Sequence, residues 1–155
     1  MVLNWEVFTR LSPPEIQIHW ATATLAFALG LVIFLRPKGT LPHKTLGVFY
    51  ASLMTVTSAS AFFIRSGDVS GWAYLSLAGM SWIHLFIPIT MFGVVGGLYG
   101  ILVLKNKRAH RGPLIGSFVG GLVIAGAFTF LPGRRMHAFF FADAETIQMW
   151  ISSIG

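Results

Sequence analysis

The hydrophobic positions of this chain form long uninterrupted runs instead of the short patterns of a soluble fold. An α-helix needs about 20 consecutive apolar residues to cross the hydrocarbon core of a bilayer. Four runs reach that length and predict transmembrane helices over about residues 15–35, 44–64, 81–104 and 112–131. The pattern therefore predicts an all-α membrane protein with four transmembrane helices.

The segments outside the four runs are predicted to lie at the membrane surface. Residues 1–14 carry spaced apolar side chains and end in two prolines that suit the first turn of a helix. Residues 67–80 are predicted to form a loop or an interfacial turn, because the apolar stretch that runs through them is too long for one crossing. Residues 132–155 form an amphipathic tail. The whole chain, 1–155, is thus predicted to be one membrane domain with its bundle over 15–131.

Two further prolines refine the predicted helices. Pro88 is expected to kink the third helix. Pro42 cannot continue the preceding helix but suits the first turn of the second, so His43 and Lys44 are predicted to lie in that turn.

The composition agrees with a membrane protein and narrows its chemistry. The chain has 55% hydrophobic and 10% charged residues, whereas a soluble domain carries about 25% charged residues. It has no cysteine, which excludes disulfides, thiolate catalysis and cysteine-based metal sites. No charged residue is predicted near the middle of a span, which disfavours a proton-coupled transporter. The sequence carries no recognised catalytic motif and predicts no metal site, so no catalytic residue is assigned.

The charges predict the orientation of the chain in the membrane. The net charge is +6, but the basic residues lie between apolar runs, which argues against a nucleic-acid partner. The loops after the first and third runs contain only basic charges, and every acidic residue falls on the other side. The positive-inside rule then places these two loops in the cytoplasm. In a bacterium this predicts the inner membrane, with both termini in the periplasm.

An internal repeat is predicted from two similar stretches. One begins "IHWATATL" and the other "IHLFIPIT", and each leads through an apolar span to a basic loop that closes on His-Lys or His-Arg. The two stretches run in the same direction, which indicates an up-down four-helix bundle built from two parallel helical-hairpin repeats. Such a bundle would place His19 opposite His84 near the outer leaflet, and His43 opposite His110 near the cytoplasmic boundary.

His19 and His84 are the strongest candidate binding residues, because each imidazole lies within apolar sequence. One hypothesis makes them the two axial ligands of haem b, and the glycine-rich third and fourth spans would leave room for the cofactor. A quinone near the same two residues is the other redox hypothesis. The alternative is that each imidazole sits near the lipid headgroups and bonds a neighbour such as Glu15 or Ser81.

The remaining histidines and nearby basic residues are predicted to be structural or to bind lipid or anions. His43 is predicted to be mainly neutral and to tie the two basic loops together by a hydrogen bond to His110 or to a nearby carbonyl. The other clusters are at the cytoplasmic boundary and after the fourth run: Lys44, Arg111, Arg134, Arg135 and His137. The last three form a cationic group suited to a lipid phosphate, a carboxylate or a quinone headgroup.

Two GxxxG patterns, Gly96–Gly100 and Gly116–Gly120, predict close helix packing.

Four motifs, "HKTLG", "SWIH", "AHRGPLIG" and "AGAFTFLPGRRMH", resemble those of a large bacterial family of predicted membrane proteins called domain of unknown function 2306. The resemblance covers about residues 19–140 and implies four spans but no activity. This chain departs from the family pattern at Lys44, where an arginine is usual, and in the "GPL" after Arg111. The positions that the resemblance singles out are Lys38, Gly39, His43, Gly47, His84, His110, Arg111, Pro132, Gly133, Arg134 and His137.

Three functions are compatible with these observations. The first is a small redox-associated membrane protein with haem or quinone near His19 and His84. The second is a non-catalytic accessory subunit that packs against other subunits of a respiratory or photosynthetic complex. The third is a small-molecule carrier, which the short loops and four short helices disfavour.

Overall fold

The computed structural model of the protein describes residues 3–64, 82–131 and 134–153. Within these ranges every regular element is helical, and no strand occurs. The predicted loop or turn over 67–80 lies outside the described residues, as do Ser81 and the Pro132–Gly133 stop after the fourth run.

Four helices are long and apolar enough to cross a membrane, which confirms the predicted number and indicates a membrane protein. They are called spans 1 to 4 and comprise Pro14–Leu35, Leu41–Phe63, Ile83–Leu102 and Lys107–Phe128. Many large apolar side chains on them face outward, as expected of helices that contact lipid.

The remaining helical elements are short. One turn, Glu6–Thr9, precedes span 1, and two helices, Arg135–Phe141 and Ala144–Ser153, follow span 4. A 3₁₀ turn over Trp82–Leu85 leads into the α-helical part of span 3. Span 4 changes to π-helical geometry over Phe118–Ile124 and then returns to α-helix.

Capping residues explain where spans 2 and 4 begin. The Thr40 hydroxyl accepts a hydrogen bond from the His43 backbone N–H at 3.3 Å, so His43 lies in the first turn of span 2, as predicted. The Asn106 side chain accepts from two backbone N–H groups, at 2.9 and 3.2 Å, and starts span 4 at Lys107. The predicted start at residue 112 is therefore wrong, and His110 lies in the helix instead of a loop.

The prolines of spans 3 and 4 lie at different helix positions. Pro88 lies in the first turn of the helix Phe86–Leu102, where proline is tolerated because that N–H has no helical partner. The helical geometry changes just before Pro88, at the 3₁₀ turn over Trp82–Leu85, and the kink at Pro88 stays a prediction. Pro113, in contrast, lies inside span 4.

The spans pack as two close pairs joined by smaller contacts. Span 1 packs against span 2, and span 3 against span 4, while spans 2 and 3 and spans 1 and 4 also touch. The rings of His43 and His110 lie 6.5 Å apart, so the loops before spans 2 and 4 are at the same end of the bundle. We call this the basic end, and the opposite end, which carries both chain termini, the terminal end.

Phe118 joins spans 1 and 4 inside the bundle. Its ring stacks on Phe27 at 5.6 Å and meets Phe34 edge-on at 4.9 Å. A Cβ on Gly30 would lie 2.5 Å from the Phe118 ring, so this glycine is what lets the aromatic side chain enter. The buried core around this contact consists of Ala26, Tyr50, Ala51, Met54, Val94, Phe118 and Leu122.

Glycines bring spans 3 and 4 into close contact, although not the pairs that the GxxxG patterns predict. A Cβ on Gly97 or Gly100 would lie 2.5 Å from Leu114 or from the Ala109 carbonyl. Gly96 makes only ordinary contact, and Gly116 faces open space. The packing face is therefore Gly93, Gly97 and Gly100. Only one of these glycines belongs to a predicted pair.

The two terminal segments pack together and cover the terminal end of the bundle. Val7, Ala138 and Ile147 form their small buried core. Phe8 stacks on Trp20 of span 1 at 4.6 Å, which attaches the layer to the bundle. We call residues 3–12 and 134–153 together the terminal cap.

Hydrogen bonds to buried backbone groups hold the terminal cap in place. The Asn4 amide donates to three carbonyls of the C-terminal segment, those of Ala138, Phe139 and Ala142, at 2.8–3.4 Å. Asp143 caps the last helix by accepting from the Thr146 N–H at 2.7 Å, and the bonds from Thr146 lower the pKa of the Asp143 carboxyl. The cap is therefore a folded layer and not two separate tails.

The glycine packing face gives a test of the fold. Gly100→Ala should lower the free energy of unfolding by about 1–3 kcal/mol, because the new methyl group meets the backbone of span 4. Gly116→Ala is the matched control and should be neutral or stabilising by up to about 1 kcal/mol, since alanine is the better helix former. Unfolding in detergent measures both, and equal effects would contradict the described packing.

Candidate ligand cavity at the terminal end

A large cavity lies between the four spans beneath the terminal cap. Its volume is about 1090 Å³, slightly above the roughly 300–1,000 Å³ typical of small-molecule sites. Side chains of all four spans line it, and most of them are apolar. Both His19 and His84 are among the lining residues, so the structure brings this predicted pair to one site.

Spans 2 and 3 contribute buried residues to the cavity wall, although Phe63 at the end of span 2 also lines the cavity and is 64% exposed. Met54, Thr57 and Ser58 of span 2 and Thr90 of span 3 line it and are buried. The terminal cap forms the roof, with Phe8 from one segment and Arg134, Arg135 and Met136 from the other.

The side between spans 1 and 4 is open. Phe27 of span 1, Val123 of span 4 and Phe130 just after span 4 line the cavity, yet 41–44% of each residue is exposed. In a membrane these surfaces face the acyl chains. The cavity is therefore accessible sideways, to molecules dissolved in the bilayer.

The π-helical segment of span 4 shapes the wall next to this opening. It contributes Gly121, Leu122 and Val123 to the lining. Gly121 packs directly on the Thr90 hydroxyl of span 3, and a Cβ would not fit there. π-Helical turns are rare and occur often at functional sites, which agrees with the position of this one.

His19 is held by hydrogen bonds to span 2. Its Nδ1 lies 2.9 Å from the Thr57 carbonyl oxygen and 3.3 Å from the Ser60 hydroxyl. The Thr57 hydroxyl in turn donates to the Thr22 hydroxyl at 2.9 Å. No bond to His19 Nε2 occurs among the described residues, so this nitrogen is left for a ligand.

His84 is held in a different way. Its Nε2 lies 2.8 Å from the Ile64 carbonyl oxygen at the end of span 2. The alternative in which Glu15 bonds His19 is not observed. Both residues line the cavity, but no hydrogen bond or ion pair joins them in the described part of the chain. Ser81, the partner considered for His84, lies outside the described residues.

Each imidazole bonds a backbone carbonyl through one ring nitrogen, Nδ1 in His19 and Nε2 in His84. Ligating histidines use one ring nitrogen for the metal and the other for an orienting hydrogen bond of this kind. Within the described ranges no group of three or more His, Asp or Glu residues could hold a metal ion. Haem at His19 and His84 stays a prediction from sequence.

The predicted cationic group after span 4 is divided. Arg134 and Arg135 line the cavity roof, whereas His137 packs against Phe141 at 5.1 Å. Arg135 donates to the Leu11 carbonyl and, at 3.3 Å, to the Ser12 hydroxyl. Partial burial lowers the pKa of Arg135, but a guanidinium stays protonated at neutral pH. The roof thus carries positive charge above the imidazoles.

His43 does not form the hydrogen bond that the sequence suggested. His110 donates from Nδ1 to the Gly97 carbonyl at 2.9 Å, but His43 Nδ1 is buried without a partner among the described residues. The rings are 6.5 Å apart, which leaves roughly 4 Å between facing nitrogens and exceeds hydrogen-bond range. The distance between spans 2 and 4 sets this separation.

Lys38 has the structural role at the basic end. Its amine donates to the carbonyls of Ile33, Phe34 and Arg36, each at 2.8 Å. These carbonyls lie at the end of span 1 or directly after it, where the last carbonyls of a helix lack their usual partners; that of Ile33 also accepts from the Arg36 N–H at 3.3 Å. Lys44 and Arg111 are exposed and make no such bond among the described residues.

Sequence patterns missed two parts of this site. The terminal cap depends on contacts between the two ends of the chain, and only the aromatic residues Trp5, Phe8 and Phe139 hinted at it. The π-helical turn has one visible signal, the adjacent Gly120 and Gly121.

Comparison of the chain with protein-family models, with curated proteins and with solved structures found no match. The function is therefore inferred from the geometry of the cavity.

The lysine cap can be tested by a matched pair of substitutions. Lys38→Met should lower the free energy of unfolding by about 0.5–1 kcal/mol, because the carbonyls at the end of span 1 lose a cationic partner. Lys44→Met is the matched control, because Lys44 is an exposed lysine at the same end of the bundle that caps no carbonyl among the described residues. This substitution should change stability little. Unfolding in detergent at low salt measures both variants, and an equal loss in the two would show that Lys38 contributes only general surface charge.

Proposed function

We propose that this protein binds a lipid-soluble molecule with a polar head, of the quinone class, in the cavity at its terminal end. The observation that carries the proposal is the cavity's side opening between spans 1 and 4, combined with two imidazoles inside it. An apolar cavity with few polar groups is the usual form of a small-molecule site.

The lining suits the two parts of such a molecule. His19 and His84 supply imidazoles that could bond ring oxygens, and Arg134 and Arg135 line the same cavity from the terminal cap. The aromatic and aliphatic residues of spans 1 and 4 continue from there to the opening. A tail that follows them would leave the protein through the opening and remain in the bilayer.

Orientation, localisation and repeat architecture are part of the same proposal. The basic loops on one side support a bacterial inner-membrane protein with both termini in the periplasm. The pairing of His19 with His84, and of His43 with His110, at opposite ends supports an up-down bundle of two parallel hairpin repeats. Membership of the family named from the motifs rests on the sequence resemblance alone.

Partners are proposed on the same basis. The outward apolar side chains of the spans support contact with lipid. Met149 and Trp150 on the last helix are 59% and 44% exposed, which supports the alternative that other membrane subunits contact the terminal cap.

A substitution that fills the cavity tests the proposed site. Gly126 lines the cavity, and a Cβ there has nothing within 4 Å, so Gly126→Phe should fold and occupy the ligand's space. We expect affinity for a decyl-substituted benzoquinone, supplied in both redox forms, to fall at least about tenfold. Quenching of Trp20, which also lines the cavity, reports binding in nanodiscs.

Gly116→Phe is the control for this experiment. Gly116 is on the same span with equally open space around it, but it does not line the cavity. This variant should bind as the unaltered protein does. Absence of binding by the unaltered protein, or equal losses in both variants, would refute the proposed site.

The orientation has its own test. Alkaline phosphatase is active only in the periplasm, so a fusion after Gly155 should be active and a fusion after Lys107 inactive. The reverse pattern would place the terminal end, and with it the cavity, on the cytoplasmic side.

A further inference from the structure

We propose that the cavity selects the reduced, hydroxyl-bearing form of its ligand, a hydroquinone, over the quinone. The proposal rests on the proposed function, since it concerns which form the cavity binds. It depends on one feature of His19: the imidazole offers the ligand a hydrogen-bond acceptor and no donor.

The hydrogen bonds around His19 Nδ1 fix the position of its proton. The Thr57 carbonyl, 2.9 Å away, can only accept. The Ser60 hydroxyl, 3.3 Å away, donates its own hydrogen to the same carbonyl at 3.0 Å and so can only accept from His19 as well. Both neighbours of Nδ1 are acceptors, which requires that Nδ1 carry the hydrogen.

The surroundings hold this arrangement in place. Thr57 and Ser60 are buried, so water does not offer alternative partners on that side. The Thr57 hydroxyl donates to Thr22, which donates to the Ile18 carbonyl at 2.8 Å. The imidazole thus joins two helices that already pack together, and its ring cannot turn without breaking both bonds at Nδ1.

A doubly protonated His19 is disfavoured by the charges that line the cavity. Arg134 and Arg135 would repel a second cation there, as would a protonated His84. Glu15 is the one carboxylate among the lining residues that the structure describes, and no ion pair between it and His19 is found there. An unpaired charge in a largely apolar cavity is costly, so His19 is neutral and Nε2 carries a lone pair.

A neutral Nε2 distinguishes the two forms of a quinone. A hydroquinone hydroxyl can donate to it. A quinone oxygen can only accept. Placed opposite His19 Nε2, it would leave both the oxygen and the nitrogen without a hydrogen to share. Leaving buried polar groups unsatisfied reduces affinity by about ten- to a hundredfold. A tenfold preference for the reduced form would raise the two-electron midpoint potential of the bound couple by about 30 mV.

Three ligands of one shape test the preference: decyl-benzohydroquinone, its quinone, and the dimethyl ether of the hydroquinone, which cannot donate. Binding to the full-length protein in nanodiscs is followed under anaerobic conditions by tryptophan fluorescence, to which Trp20 in the cavity lining contributes. The hydroquinone should bind at least about tenfold more tightly than either of the others. His19→Leu should abolish the difference, and His137→Leu, outside the cavity, should keep it.

The outcomes separate this inference from the proposed function. If all three ligands bind the unaltered protein with equal affinity, or if the quinone or the ether binds more tightly, the cavity exists but the inference is wrong. If none binds, the proposed function fails and the inference with it. The comparison of ligands needs no substitution, so a His19→Leu protein that does not fold still leaves a decisive result.

Discussion

The insertion of Phe118 against Gly30 determines the shape of the bundle. Glycine is required because any side chain at that position would overlap the ring, and Phe27 and Phe34 hold the ring from either side. The contact draws spans 1 and 4 together toward the basic end. Nearer the terminal end the same two spans line the cavity from opposite sides. The contact between Gly30 and Phe118 thus accounts both for the tight packing of spans 1 and 4 toward the basic end and for their separation around the cavity nearer the terminal end.

The ends of the helices explain several of the other polar contacts. The first N–H groups and the last carbonyls of a helix have no helical partner and need other ones. Lys38, Thr40 and Asn106 supply these partners at the basic end, and Asn4 does so in the terminal cap. Hydroxyl groups within the spans mostly bond back to their own helices. His19 is different, since its bonds cross to another span and one ring nitrogen faces the cavity side.

The sequence predicted the number of spans because apolar length is a local property. It predicted the shared location of His19 and His84 because the direction of successive spans follows from the charged loops. It failed where tertiary distances decide: spacing could not tell whether Gly96 or Gly97 faces span 4, nor whether His43 would reach His110. It also failed for the terminal cap, whose bonds join Asn4 to carbonyls more than a hundred residues away. No periodic pattern encodes such a contact.

The terminal cap and the side opening together determine how a ligand would lie. The cap covers the end of the cavity with Arg134 and Arg135 and is anchored to span 1 through Phe8 and Trp20. A polar head entering between spans 1 and 4 therefore stops beneath these charges, at the level of His19. The tail remains at the opening, among residues that already face lipid. This geometry favours a molecule that diffuses within one leaflet over one that arrives from water, because the aqueous end of the cavity is the end that the protein closes.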